Sequence, residues 1–379
     1  MRIDNVNNKQ LQNYYERLEN HIDQSFICIK YIDLGTHIVR LINYSQEFIP
    51  LIEKQLSYVL KNNSSKYDAT LIVWKENSIK SLPGILEDKC NTKINLKLRI
   101  EMLVEKRDYE DLQVFNKDYS IHSPIISVNN LEGIVNMYNQ QSNTYYYGVE
   151  NLEPEEFIKQ GHIFVQIFNK ILKTQNTALV HGAVVGLNNQ GILFCARGQR
   201  GKSTLAVLSM LKGFEYISDD YLTLCKEGNN LYSYPIYSII TLSPRMYNEL
   251  YDELDGKFVS NNARKDKYVI SIEKYHDRFR KKYPVKVCMF PQIVGDAEPS
   301  IVPCHKGRAV TQLIYSTINQ MQDKHDIATI KKLMGFVNDF DFYQINLCSN
   351  IRANVECLKD FMQTMSENKE NINGELCIK

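Results

Sequence analysis

"FCARGQRGKST" (residues 194–204) is the stretch whose reading decides the rest of the chain. It departs by one residue from the phosphate-binding pattern of Gly, four residues, then Gly-Lys-Ser/Thr, because Ala196 stands where the first glycine belongs. A methyl group is easier to accommodate at that strand end than at Gly201, and Gly198 and Gly201 supply the turns such a loop needs. A buried strand, "ILFCA" (192–196), leads in, and "KSTLAVLSMLK" (202–212) leads out as a helix that stops at Gly213. That order aims backbone N–H groups and a helix N-terminus at phosphate oxygens. Lys202 then reaches the outer phosphates, and the Ser203 hydroxyl reaches a Mg²⁺ ion. Gly198, Gln199, Arg200, Gly201, Lys202, Ser203 and Thr204 are the expected nucleotide contacts. The plain alternative is a glycine-rich turn carrying an exposed lysine, and Arg200 reads equally as a phosphate contact or a solvated side chain.

Working outward, "ALVHGAVVGL" (178–187), the turn "NNQG" and "ILFCA" read as strand, tight turn, strand, which places His181 on the strand paired with the loop strand. "FEYISDDYLTL" (214–224) reads as one further strand carrying Asp219 and Asp220. Upstream, "EPEEFIKQGHIFVQIFNKIL" (153–172) has Pro154 and acids at its start and an apolar face, which predicts a helix joining two domains. Before it the sequence is mixed and strand-rich. Leu11, Tyr14, Tyr15, Leu18 and Ile22 share a helical face, "FICIKYIDLGTHIVRLI" (26–42) reads as two strands around Gly35, and "SQEFIPLIEKQLSYVL" (45–60) as a helix opened by Ser45. "INLKLRIEMLV" (94–104) alternates as a half-buried strand does, and strand-like runs follow near 120–128 and 133–149. The expected organisation is an N-terminal domain over 1–152, the connecting helix over 153–172, a catalytic domain over 173–366 and a loose tail over 367–379.

Composition narrows the class. The 379 residues suffice for two domains. Lys plus Arg (45) balances Asp plus Glu (44), so net charge gives no argument for nucleic acid or membrane. Nine scattered cysteines contain no Cys-x-x-Cys pair, which reads as reduced thiols rather than disulfides or zinc. The first twenty residues are too polar for a signal peptide, and no apolar run approaches the roughly 18 residues of a membrane span. A cytoplasmic protein is expected.

The segment "VHGAVVGLNNQGILFCARGQRGKSTLAVLSMLKGFEYISDDY" (180–221) resembles the catalytic core of the HPr kinase/phosphorylase family. His181-Gly182, the loop ending Lys202-Ser203, and Asp219-Asp220 follow that family's order and spacing. Later pieces such as "VKVCMFPQIV" (285–294), "PSIVPCHKGRAVTQLI" (299–314) and "FYQINLCSNIRANVECLKDFM" (342–362) resemble its divergent branch, which includes kinases associated with maturation of ribosomally made peptides. "YPIYSIITLSPRMY" (234–247) stands where the regulatory kinases carry Glu-x-Arg-Gly-x-Gly-Ile, and the first 150 residues do not look like their first domain.

The resemblance implies an α/β P-loop-containing, HPr-kinase-like C-terminal domain behind a strand-rich α+β N-terminal domain that recognises substrate. It implies transfer of the γ-phosphate of ATP or GTP, with Mg²⁺, to a Ser or Thr hydroxyl of a peptide or small protein. By resemblance Asp220 takes the hydroxyl proton, Asp219 serves the metal and His181 orients the acceptor or the phosphate. Neighbouring strand residues point to opposite sides, so one carboxylate is expected to face substrate while the other turns aside. Lys267, in the basic stretch 264–282, is the candidate for a second cationic contact, although a solvated loop explains it as well. A kinase for free serine or another small molecule, and a nucleotide-binding module without catalysis, are the competing readings. The family leaves oligomerisation open.

Overall fold

The computed structural model describes residues 8–76, 112–114, 125–129, 134–150, 162–172, 176–196, 198, 200–254, 256–259, 267–295, 297–318 and 327–376. The fold is mixed α/β, in two compact units. The first holds the chain up to Phe164, except Asp33–His37 and Lys54–Val59, which group with Val165–Lys379 in the second.

In the first unit, α1 (Asn8–His21) and α2 (Ile49–Leu56) accompany β1 (Cys28–Asp33), β2 (Ile38–Asn43), β3 (Leu60–Lys61), β4 (Ala69–Lys75), β5 (Leu112–Val114), β6 (Ile125–Asn129), β7 (Ile134–Asn139) and β8 (Thr144–Val149). The sheet order is β3-β1-β2-β4-β8-β7-β6-β5, with β2, β4 and β8 parallel. β8 is buried along its whole length, as a central strand covered on both faces should be. The helical spacing of Tyr15, Leu18 and Ile22 lets them pack on Ile72, Trp74, Met137 and Tyr146. The buried Glu76 carboxylate accepts from Trp74 Nε1 (3.0 Å) and meets His21 Nε2 (3.1 Å). Ser45 precedes a single 3₁₀ turn (Gln46–Phe48) and makes no side-chain cap, so α2 begins at Ile49. The expected strand at 94–104 lies outside the described residues.

The second unit opens with α3 (Val165–Ile171). The sequence predicts one helix over 153–172, but residues 162–164 are not helical and Phe164 adopts φ 61°, a left-handed conformation that cannot sit inside a helix. Residues 151–161 of that expected helix lie outside the described residues. After α3 come β9 (Thr177–His181), β10 (Ala183–Leu187), β11 (Gln190–Phe194), α4 (Lys202–Leu211), β12 (Glu215–Ser218), β13 (Tyr221–Glu227) and β14 (Asn230–Pro235). A three-stranded sheet follows, of β15 (Ile239–Leu242), β16 (Gly256–Val259) and β17 (Lys267–Ser271), with α5 (Pro244–Glu249) between its strands. The chain ends with β18 (Tyr283–Gly295), β19 (Ser300–Pro303), α6 (Lys306–Ile318), α7 (Ile327–Phe336), β20 (Asp341–Cys348) and α8 (Ile351–Leu376). The tail expected from 367 onward instead continues α8 to Leu376; its Glu and Lys are good helix formers, which polarity alone does not reveal.

β18 organises this unit. Its length runs parallel to β11 on one side and to β20 on the other, while its first residues pair with β14. The β10–β11 hairpin turns on Asn188 and Asn189, both at positive φ (51° and 58°), as a two-residue hairpin loop requires. Successive residues of the parallel strands face opposite cores. Phe194, Met289 and Leu347 meet α4 and α8, whereas Leu193, Cys288 and Phe290 meet α6 and α7.

Two expected strands are each broken in two. The run 178–187 splits at Gly182: His181 pairs with Tyr221 on β13, while Ala183 pairs with Phe194 on β11. A Cβ at Gly182 would stand 2.7 Å from Leu193 Cδ1 and 2.9 Å from the Phe194 carbonyl, so only glycine permits the change of partner. The run 214–224 splits at Asp219-Asp220, with Ser218 paired to Val184 on β10 and Tyr221 paired to His181 on β9. Asp220 takes φ 68°, a conformation that Asp tolerates better than most residues. Gly182 N–H donates to the Asp220 carbonyl (3.0 Å), which ties the two breaks together. His181 therefore does not lie on a strand paired with the loop strand. Among the described residues, no helix is long and apolar enough to cross a membrane.

Candidate active site

The segment after β11 climbs away from the C-terminal ends of the parallel strands and enters α4. Cys195 N–H still donates to the Met289 carbonyl (3.0 Å), and Ala196 is buried where the pattern has its first glycine. Gly198 has open space around it, so nothing opposes a bound group there. Gly201 adopts φ 86°, and a Cβ on it would stand 2.8 Å from Leu347 Cδ1. Leu205 N–H to the Gly201 carbonyl (2.9 Å) is a first-turn helical bond, so the N–H groups of Lys202, Ser203 and Thr204 belong to the turn that has no intrahelical acceptor. Arg200 is exposed. Gln199 lies outside the described residues.

Lys202 is the first residue of α4, and its side chain is only 7% exposed. Its Nζ stands 3.5 Å from Asp220 Oδ1 and 3.8 Å from Asp219 Oδ1. Burial works against the ammonium charge, but the Asp219 and Asp220 carboxylates outweigh it and hold Lys202 above the usual lysine range. The expectation that one carboxylate turns aside is corrected here. The pair occupies a bend rather than a strand, and both carboxylates meet the lysine.

The two acids still differ. Asp219 is 1% exposed and Asp220 20%. Neither Asp219 oxygen has a partner in full hydrogen-bond geometry, although the Ser203 hydroxyl is near enough to favour the charged form. Burial first, then the Asp220 charge, pushes the Asp219 carboxyl above the ordinary carboxylate range. His181, buried, places Nε2 3.8 Å from Asp220 Oδ1, and its backbone N–H donates to Thr317 Oγ1 on α6 (3.3 Å). The ring meets Tyr221 edge-on, with centroids 5.4 Å apart.

Lys202, Ser203, Asp219, Asp220 and His181 thus form one cluster, with Gly201 shaping the turn beneath it. Lys267 starts β17 and its Nζ donates to Thr241 Oγ1 (3.2 Å) on β15, while the ion pairs of the cluster given above are made by other residues. Two neighbours escaped sequence reasoning. The Tyr216 hydroxyl is buried without a hydrogen-bond partner, and burial, then the two carboxylates, drives its pKa far up. Thr317 holds the His181 backbone. Tyr216 reads in sequence as an ordinary alternating strand residue and Thr317 as a helix residue far along the chain, so neither carries a local signal.

A hard divalent cation takes oxygen ligands, and the buried Asp219 oxygens, which accept no hydrogen bond and lie beside the Ser203 hydroxyl, suit one. The described residues contain no cluster of three or more His, Cys, Asp or Glu that could hold a metal alone, so such an ion would share phosphate oxygens and water.

No family model matches the chain, and no curated protein matches it. Among solved structures it is similar to the Hpr(Ser) kinase/phosphatase from Coxiella burnetii, at 12% identity and a TM-score of 0.32, covering 52% of this chain and 96% of that one. The functional reading therefore rests on the cluster itself.

Proposed function

We propose that the second unit is a phosphotransferase of the HPr-kinase-like P-loop type, moving the γ-phosphoryl group of ATP or GTP to a Ser or Thr hydroxyl of a peptide or small protein. The observation that carries this reading is a buried lysine at a helix N-terminus with two carboxylates within 4 Å, one of them beside a histidine. The first-turn N–H groups and residues 198–204 would hold the phosphates, which replace the carboxylates as partners of Lys202. Asp219 and Ser203 would hold Mg²⁺, which supplies charge neutralisation on the phosphate oxygens.

Asp220 is the more open carboxylate, so it is the one an acceptor hydroxyl can reach. It takes the hydroxyl proton as the acceptor oxygen bonds to phosphorus, the bond to the β-phosphate oxygen breaks, and the nucleoside diphosphate leaves with that electron pair. His181 positions the Asp220 carboxylate, and Thr317 positions His181. The first unit serves acceptor recognition.

Asp220→Asn should bind Mg·ATP about as well as the parent while transfer to Ser/Thr peptides falls on the order of 10²- to 10⁴-fold. Normal turnover in that variant would contradict the assignment. Transfer to free serine but to no peptide would move the acceptor to the small-molecule class. Full activity of both Asp220→Asn and Asp219→Asn would leave a nucleotide-binding module as the better account.

A further inference from the structure

Beside the loop lies a cavity of about 340 Å³ that shares Arg200 with the phosphate loop and is otherwise unused by the chemistry above. Ala196 and Arg200 form its loop wall, and β18 and β20 contribute Phe290, Gln292 and Gln344. The remaining wall is α6. Arg308, Thr311, Gln312 and Tyr315 line the cavity at i, i+3, i+4 and i+7, one helical face, while Ala309 and Leu313 on another face are buried in the core. The helix thus turns an apolar stripe to the sheet and a polar stripe to the cavity.

Position and chemistry together restrict the occupant. Phe290 belongs to the core face shared with β9 and β13, the strands next to His181 and Asp220, and not to the face that α4 covers. α6 runs from the cavity to the catalytic cluster, since Tyr315 lines the one and Thr317 holds the His181 backbone of the other. Arg308 and Tyr315 are separated by about 10 Å along the helix, at 1.5 Å per residue. Arg200 and Arg308 both line this space, and Arg308 Nη2 meets Gln292 Oε1 at 3.5 Å. Guanidinium forks match carboxylates, and glutamine amides can both donate to and accept from a peptide backbone.

We propose that this cavity is an acceptor subsite of the second unit, additional to recognition by the first, and that it selects a peptide bearing a carboxylate a few residues from the phosphorylated hydroxyl. This deepens the kinase reading and rests on it. Arg308 is the specificity-determining residue, with Gln312 and Gln344 meeting the main chain. The carboxylate comes from an Asp or Glu side chain or from a peptide C-terminus.

The test measures binding, so it needs no turnover. Fluorescent serine peptides are titrated against the full chain: one with an internal Asp, the same with Asn, one with a free C-terminal carboxylate and the same amidated. Mg²⁺ with a non-hydrolysable ATP analogue is titrated separately. The carboxylate peptides should bind about tenfold or more tightly than their neutral partners, the energy scale of one charge-assisted hydrogen bond. Arg308→Gln should erase that difference, Arg308→Glu should transfer the preference to a Lys-containing peptide, and nucleotide affinity should stay unchanged in both. Which of the two carboxylate peptides gains identifies the source. Equal binding of charged and neutral peptides, binding of neither, or a loss of nucleotide affinity in the Arg308 variants would each overturn the proposal. Loss of nucleotide affinity would make the cavity a nucleoside site. If the analogue binds the parent but no peptide does, the acceptor subsite fails while the nucleotide site stands; if the analogue does not bind at all, it is the kinase reading that fails.

Discussion

Both oxygens of Asp219 are buried beside a second carboxylate, so its charge costs the nucleotide-free protein stability. The folded-state pKa is raised. The linkage contribution is therefore fully present below the unfolded value and is lost as pH rises through the folded one. Above the unfolded value the fold disfavours the ionised form relative to the unfolded chain, and there Asp219→Asn should raise the melting temperature of the apo protein. The same change should shrink the further rise that Mg·ATP gives and increase the Mg²⁺ concentration required. Thermal melts with and without Mg·ATP check this, and a lower apo melting temperature would count against the electrostatic reading. Lys202 is also raised, and its stabilising charge persists until pH climbs through its elevated value, so it stays cationic throughout the neutral range.

At the scale of elements, the site depends on two segments changing strand partners at one level. Gly182 and Asp220 make those crossings, and Gly201 turns the loop into α4. Gly182→Ala would press a methyl group onto Leu193 and the Phe194 carbonyl and shift His181 away from Asp220. Transfer should fall far more than nucleotide affinity, about 10²-fold for a displacement near 1 Å; equal losses in both would show that the crossing does not position the acid. Gly201→Ala should cost about 1–2 kcal/mol from its left-handed backbone alone, read by denaturant unfolding, and should also weaken nucleotide binding. The loop, its helix and the Asp pair were legible in the sequence because each is a local pattern. The breaks at Gly182 and Asp219 were not, because an apolar run reads the same whether its partner strand changes midway or not. Pairing of His181 with Tyr221 is decided forty residues away. The cavity was equally hidden, since Arg200, Gln344 and Arg308 converge only through the β11–β18–β20 order.

At the scale of the whole molecule, the second unit is not a simple C-terminal half. Lys54–Val59 belongs to it, with Ser238 N–H donating to the Gln55 carbonyl (2.6 Å), Tyr58 N–H donating to Ser238 Oγ (2.8 Å), and the Tyr58 ring meeting Phe279 edge-on at 5.6 Å. A fragment of residues 165–379 loses these contacts and should be destabilised on the order of 3 kcal/mol, from two hydrogen bonds and an aromatic pair. Equal denaturant midpoints for the fragment and for the corresponding transition of the full chain would deny those segments a structural role. The most direct measurement is equilibrium binding of Mg·ATP to the full chain and to Lys202→Ala. The parent should bind, and the variant, lacking the charge-assisted contact to the outer phosphates, should bind at least about tenfold more weakly. No binding by the parent, or equal binding by both, would contradict a nucleotide site at this loop.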